Sequence, residues 1–371
     1  MIKLRKMKRI SIYATGDRNA VSRYRIWQYY DYIPDTKIDA HVKYSPFLYK
    51  RYAPIGQQNL VIKSIAWINM AFRVMWFLLI DLFKRPDVIV VQRELVKKKA
   101  PWIVNLLFKL NVKIGSKVIW DFDDHILEMK EITMKDFSIL SRYSSHITVT
   151  HKFLKSLVEE KYQDKVILLH TTDGEMYQTF EKEKVDITKK RINTLKKELI
   201  VAWVATRGNI PFLQMVVPWL DNAAKALFNK GINMRLKVIC NAELTAETSH
   251  LRIENIKWSK DNALNGLLGA HVGIMPLRDT ALAKGKGGFK LIQYMSVGLP
   301  CISSNVGFNK DIIGDSFGFL ATNEEEWIEA ILKLSDSVVW SKYSEAAFDC
   351  WNREYSYSDN LNRIINLVNE N

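Results

Sequence analysis

Cysteine is scarce in this chain. The three present (Cys240, Cys301 and Cys350) are far apart, odd in number and without metal-ligand spacing, which argues against a disulfide framework or a zinc site. Cys240 and Cys301 fall in apolar, strand-like runs, so reduced, buried thiols in a cytosolic protein are the simplest account. Acidic residues are also short, 40 against 54 lysines and arginines, leaving a net charge of +14. That excess points to an anionic partner: nucleic acid, a membrane surface or an anionic small molecule. No helix-turn-helix, zinc-finger or RNA-recognition signature supports nucleic acid. The basic start, MIKLRKMKRISIYATG, leads into an apolar run too short for the core of a signal peptide. No short-period repeat and no low-complexity tract appears. With 48% hydrophobic and 25% charged residues over 371 positions, the chain describes a globular protein with room for two domains.

The most informative stretch is GKGGFKLIQYMSVGLP, Gly285 to Pro300. Gly285, Gly287 and Gly288 let a loop backbone approach a bound group closely. A helix of about ten residues is predicted to follow, stopped by Gly298 and Pro300. Lys286 and Lys290 sit in its first turn, where bare N–H groups already make positive charge unfavourable. A phosphate would reverse that sign. Lys290, Gln293 and Ser296 form a narrow polar stripe, so the segment reads as a diphosphate site with Gln293 reaching toward a sugar hydroxyl. The plainer alternative is a solvated loop entering an amphipathic helix.

The strand HVGIMPL, then KGGFKLIQYMSVGLPCISSNVG, then GFLATNEEEWIEAI resembles the donor-binding half of the GT-B glycosyltransferases of the large retaining group 1 (family 4-like). The likeness covers roughly residues 200–340 well and the first half more loosely. It implies an α/β fold of two Rossmann-like domains with parallel sheets facing a cleft. Gln293 stands where the family usually has a ribose-binding glutamate, and Gly285 where its partner glutamate would be. Glutamine can still donate to and accept from hydroxyls. The resemblance also implies that Thr206 and Arg207, in the strand-to-helix loop Ala205–Asn209, meet donor phosphate opposite Lys290. The donor set is therefore Thr206, Arg207, Lys286, Gly287, Gly288, Lys290 and Gln293.

The first half opens with the strand RISIYATG and a helix carrying Ser22, Arg23 and Arg25, read either as an acceptor-side anion site or as exposed arginines. A second strand, PDVIVVQREL, and a third, SKVIWDFDDHILEM, follow. Asp121, Asp123 and Asp124 end the third strand, where open α/β sheets bind ligands. Three readings stay open: positioning the acceptor or handling its proton, holding Mg²⁺ or Mn²⁺, or turn chemistry. The expected site has Asp124, Asp123 and Lys290 as catalytic residues and Ser22, Arg23, Arg25 and Asp121 on the acceptor. It needs no metal or cofactor, the nucleotide diphosphate sugar being a co-substrate. His125 reads as structural.

Residues 64–83 are the most apolar stretch. Arg73 and Asp81 interrupt it, and a spanning helix needs about 20 apolar residues with few charges. A helix in the interface of an anionic membrane, flanked by Lys63, Lys84 and Arg85, competes with an ordinary helix of the first domain. The basic, aromatic stretch 43–59 reads as a loop that could meet the same lipid. The expected boundaries are a first domain over 1–175, a charged linker over 176–198, a donor domain over 199–345 and a last helix, 346–371, returning to the first domain. The function implied is transfer of a sugar to a hydroxyl of a glycan or lipid-linked acceptor, in the cytoplasm or at the inner membrane face. Alternatives are a nucleotide-sugar 2-epimerase and an idle scaffold of the same fold.

Overall fold

The computed structural model describes residues 7–17, 19–44 and 60–370. The chain forms two compact units: residues 1–171 with 358–371, and residues 172–357. Each is built on a six-stranded, all-parallel sheet with helices between most successive strands. Strands covered on both faces lose the two-residue alternation, which is why runs such as VIVVQ and VGIM are continuously buried.

The first sheet comprises β1 (Lys8–Ala14), β2 (Thr36–Val42), β3 (Val88–Gln92), β4 (Lys117–Phe122), β5 (His146–Val149) and β6 (Val166–Leu168), in the order β2-β1-β3-β4-β5-β6. The helix Leu60–Lys84 packs Met70, Ala71, Val74 and Leu78 on this unit's core. It is pinned by the fully buried Asp81, which accepts from Ser11 Oγ at 2.7 Å and Tyr13 Oη at 2.6 Å. Residues 45–59, most of the loop that the sequence suggests could meet lipid, lie outside the described residues.

The second sheet comprises β7 (Glu198–Val204), β8 (Asn233–Cys240), β9 (Leu251–Lys257), β10 (Val272–Met275), β11 (Cys301–Ser304) and β12 (Gly318–Ala321). Its order, β12-β11-β10-β7-β8-β9, is that of a doubly wound dinucleotide-binding sheet, with the change of winding direction between β7 and β10. Those two strands pair only at Val201–Val272 and Ala202–Gly273, then diverge. The Tyr294 hydroxyl sits in the opening, accepting from Val204 N at 3.0 Å and donating to Ile274 O at 3.3 Å. Gly273 makes room, since a Cβ there would lie 2.3 Å from the Tyr294 ring. Burial pushes the Tyr294 phenol pKa well up, so it stays a hydroxyl. In the first unit Gln92 does the same work at the β1–β3 split: its Oε1 accepts from Thr15 N at 3.0 Å and Ser22 Oγ at 2.6 Å.

The boundaries differ from the sequence expectation. The charged stretch set apart as a linker is the helix Gly174–Leu195, part of the second unit. Met176, Phe180, Ile187, Arg191 and Leu195 give it a narrow buried stripe that its average composition hides. Arg191 donates to Leu267 O, Leu268 O and Val297 O, carbonyls at the ends of two other helices. The second unit also runs on to residue 357 through the helix Ser337–Glu354, whose Trp340 and Trp351 are buried. Residues 358–371 group with the first unit, where Asn360 donates to His170 O at 2.8 Å and Lys8 Nζ to Val368 O at 2.8 Å.

The opening at β7 and β10 yields a stability test. Tyr294→Phe leaves the buried Val204 N–H without its acceptor and should cost about 1–3 kcal/mol in urea unfolding. Gly273→Ala should also destabilise, and much of that loss should vanish when Tyr294 is cut to Leu in the same chain. Additive losses would show that ring and glycine do not share the opening.

Candidate functional site

In open α/β sheets, ligands bind beyond the carboxyl ends of the strands where the winding reverses. In the second unit that place is built by two loops. After β7, Thr206–Asn209 form an exposed turn held by Arg207 N donating to Asn241 Oδ1 at 3.1 Å and Asn209 Nδ2 donating to Thr206 Oγ1 at 3.0 Å. After β10, the short helix Ala281–Lys284 leads into Gly285–Gly288 and the seven-residue helix Phe289–Met295. Gly288 is required there. Its φ is +63°, and a Cβ would lie 2.1 Å from Ile312 Cδ1.

The loops are joined. Lys286 Nζ donates to Asn209 Oδ1 at 3.0 Å, so Lys286 and the Thr206–Asn209 turn share one place. Lys286, Gly287 and Lys290 are half-buried, while Thr206 and Arg207 are exposed. The helix starts at Gly288, a residue with no side chain to cap it, and its first turn presents backbone N–H groups toward the loop. A rigid turn, backbone donors and cations on either side can hold a doubly charged diphosphate. Asn209, which links the two loops, was not singled out from the sequence. Its signal is a side chain that both donates and accepts in a tight turn, legible only once its partner is known.

Gln293 lies apart from this cluster in its bonding. It is 4% exposed and its Nε2 donates to Asp173 Oδ2 at 3.0 Å. Asp173 also caps the helix Gly174–Leu195 by accepting from Met176 N at 3.1 Å. Glutamine in place of glutamate therefore has a local reason. A glutamate here would set two carboxylates against each other, whereas the amide donates.

In the first unit the acidic residues after β4 are already engaged. Arg25, 2% exposed, donates through Nε to both oxygens of Asp121 at 3.0 Å and through Nη1 to Leu169 O at 2.6 Å. Asp121 also accepts from Thr148 Oγ1 at 2.7 Å. This pair, with the buried Ser22 bonded to Gln92, ties strands together and presents little to a ligand. Arg23 is half-buried, with its guanidinium 5.8 Å from the Tyr24 ring centroid.

Asp123 and Asp124 remain half-buried, held by a residue that sequence reading passed over. Arg93 reaches Asp123 Oδ1 at 2.9 Å, Asp124 Oδ2 at 2.5 Å and Glu131 Oε2 at 3.1 Å. Burial alone would lower its pKa, but the three carboxylates outweigh that and raise it. Its φ of +60° is unusual for a residue with a Cβ. Among the described residues no group of three or more His, Cys, Asp or Glu side chains is arranged to hold a metal ion. Beneath lies a buried pair: Lys43 Nζ donates to Gln92 O at 2.7 Å and lies 3.7 Å from Glu94 Oε1. Burial lowers the Lys43 pKa and raises that of Glu94, each partly opposed by the other's charge. His125 accepts from Glu128 N through Nδ1 at 3.3 Å and its pKa is lowered by burial, as for a structural residue.

Residues 204–337 match the family described as Glycosyl transferases group 1. No curated protein matches the sequence. Among solved structures, the chain is similar to Anabaena Alr3699/HepE in complex with UDP and glucose, at 10% identity and a TM-score of 0.62, covering 98% of this chain and 100% of that one. It is similar to S. aureus MnaA bound to UDP (15%, TM-score 0.57, 98% and 96% covered). A third is UDP-GlcNAc 2-epimerase from Neisseria meningitidis bound to UDP-GlcNAc (12%, 0.55, 98% and 100%). At these identities the likeness is one of fold, and that fold is GT-B.

The Gln293–Asp173 contact can be tested by stability alone. Gln293→Glu should lower the free energy of urea unfolding at neutral pH by about 1–3 kcal/mol. The deficit should shrink as acid protonates the facing carboxylates, and Asp173→Asn in the same chain should rescue it. A deficit independent of pH would place the cost in packing instead.

Proposed function

Because residues 204–337 match the family described as Glycosyl transferases group 1, we propose that the chain transfers a sugar from a nucleotide diphosphate donor to a hydroxyl acceptor. The observation that carries the reading is the joint between Lys286 and Asn209, which brings both donor-side loops to the winding reversal of the second sheet. UDP is the nucleotide we favour, since UDP or a UDP-sugar accompanies the similar structures named above.

In the transfer, an acceptor hydroxyl oxygen bonds to the anomeric carbon as its bond to the diphosphate oxygen breaks. The hydroxyl proton leaves to a base, and the diphosphate departs with the electron pair. Fixed cations are most valuable where that negative charge develops. Lys286, Lys290 and Arg207 take this role, with Thr206 and the Gly287–Gly288 backbone donating to phosphate oxygens, so no metal is required. Retention of the anomeric configuration follows the family. The acceptor side we give to the first unit. Asp123 and Asp124 orient the hydroxyl, Asp124 being the more exposed of the two, at 32% against 16% for its side chain. Gln293 meets the ribose only by exchanging its bond to Asp173. The acceptor we favour is a glycan growing on a lipid, in cell-surface polysaccharide synthesis on the cytoplasmic side.

A thermal-shift series with UDP, GDP, ADP, CMP and dTDP is expected to single out UDP, because a ligand bound only to the native state stabilises it by mass action. Lys290→Ala should weaken UDP about tenfold or more while leaving uridine nearly unaffected, as expected for a charge-assisted bond worth about 1.5–3 kcal/mol. Equal UDP affinity in mutant and parent would return this helix to a solvated surface. Turnover should persist in excess EDTA, with Asp124→Asn slowing it but sparing UDP affinity. Loss of activity in EDTA restored by Mn²⁺, together with loss of donor binding in Asp124→Asn, would place a metal on those acids. Conversion of UDP-GlcNAc to its 2-epimer without acceptor would instead make the chain an epimerase.

A further inference from the structure

The sheet-facing side of the helix Leu60–Lys84 is accounted for, but its other side is not. Ile65, Ile68, Phe72, Trp76 and Phe83 recur at spacings of three, four and seven and are all exposed, Phe72 at 59% and Trp76 at 54%. The neighbouring helix Trp102–Lys113 packs against it and carries a second stripe, Trp102, Leu106 and Leu110, with Trp102 75% exposed. One such residue is ordinary; a stripe on each of two packed helices is apolar exposure of the kind that marks an interaction site.

The exposed charges on these two helices and the segment between them are of one sign. Lys63, Lys84, Arg85, Lys98, Lys99 and Lys113 are all exposed, and of these Lys84 pairs with Asp39 at 3.2 Å. The acids of the same stretch are withdrawn: Asp81 and Glu94 are buried, and Asp87 is half-buried and accepts from Arg9 N. A two-fold contact between two copies would set these cations against one another. An anionic lipid surface would instead neutralise them while taking up the aromatic side chains.

We propose that this two-helix face of the first unit docks on an anionic phospholipid surface, lying in the interface and not crossing it. The helix Leu60–Lys84 is long and apolar enough to span a bilayer. Spanning would strip Met70, Val74 and Leu78 from the core and break the Asp81 bonds to Ser11 and Tyr13. This docking surface stands independently of sugar transfer, since it belongs to elements that carry none of the donor residues.

The test is sedimentation with vesicles of phosphatidylglycerol mixed with phosphatidylcholine, against phosphatidylcholine alone. The parent should bind the anionic vesicles at low ionic strength and be largely released at high salt, as screening requires. Phe72→Ser with Trp76→Ser should weaken partition about tenfold or more. Phe77, stacked on His41 at 4.4 Å, is left intact. Trp102→Ser, at a side chain three-quarters exposed, should weaken binding without moving the unfolding midpoint. It decides the matter should the double variant fold poorly. Lack of binding to anionic vesicles would overturn the proposal, as would undiminished binding of Trp102→Ser. So would retention on vesicles through carbonate extraction, which marks a spanning helix. A dimer in solution that Trp102→Ser converts to monomer would assign the face to a second copy.

Discussion

A parallel sheet that reverses its winding must open between the two strands where the reversal occurs, and the backbone groups exposed there need partners. In the second unit the Tyr294 hydroxyl supplies them, one bond to each of β7 and β10, in space left by Gly273. The ring belongs to the helix that begins at Gly288, so one contact closes the sheet and also fixes the glycine loop and its lysines. The loop after β7 comes from the other side of the same opening. Lys286 meeting Asn209 is therefore a consequence of the sheet's order more than a separate device. The first unit solves the same problem with Gln92. There the bridging amide holds Ser22, leaving the β1 turn less of its own polar chemistry to offer.

Charge is sorted by depth. Arg25, Arg93, Lys43 and Arg191 are buried, each against carboxylates or carbonyls. Removing one partner of such a contact leaves the other stranded, which is why buried pairs specify an arrangement more than they stabilise it. The net positive charge is thus expressed largely by surface lysines, some of them at the donor-side loops and beside the apolar face of the first unit. Both places suit anionic partners.

Much of this was legible in the chain itself. The parallel α/β grammar, the glycine loop and the lysines after it rest on local spacing, and the second sheet with its β7 and β10 loops follows that reading. What stayed hidden depends on contacts distant in sequence. Gln293 looked free to reach a ribose because nothing near it in the chain reveals Asp173, 120 positions earlier. Asp121 looked like a ligand because its arginine lies 96 residues away. Arg93 stands at the end of an apolar strand, where nothing local marks it as the residue that holds Asp123 and Asp124. The helix Gly174–Leu195 resembles a linker in sequence because an average over residues 176–198 dilutes a stripe of five buried positions.

The central claim is that a nucleoside diphosphate binds where the winding of the second sheet reverses. Hydrogen exchange with and without UDP tests it most directly, because the amides concerned are those of two short loops. The account predicts slowed exchange in residues 204–210 and 284–296 on adding UDP, and much less on adding uridine. Protection spread elsewhere, with those two loops unchanged, would contradict it.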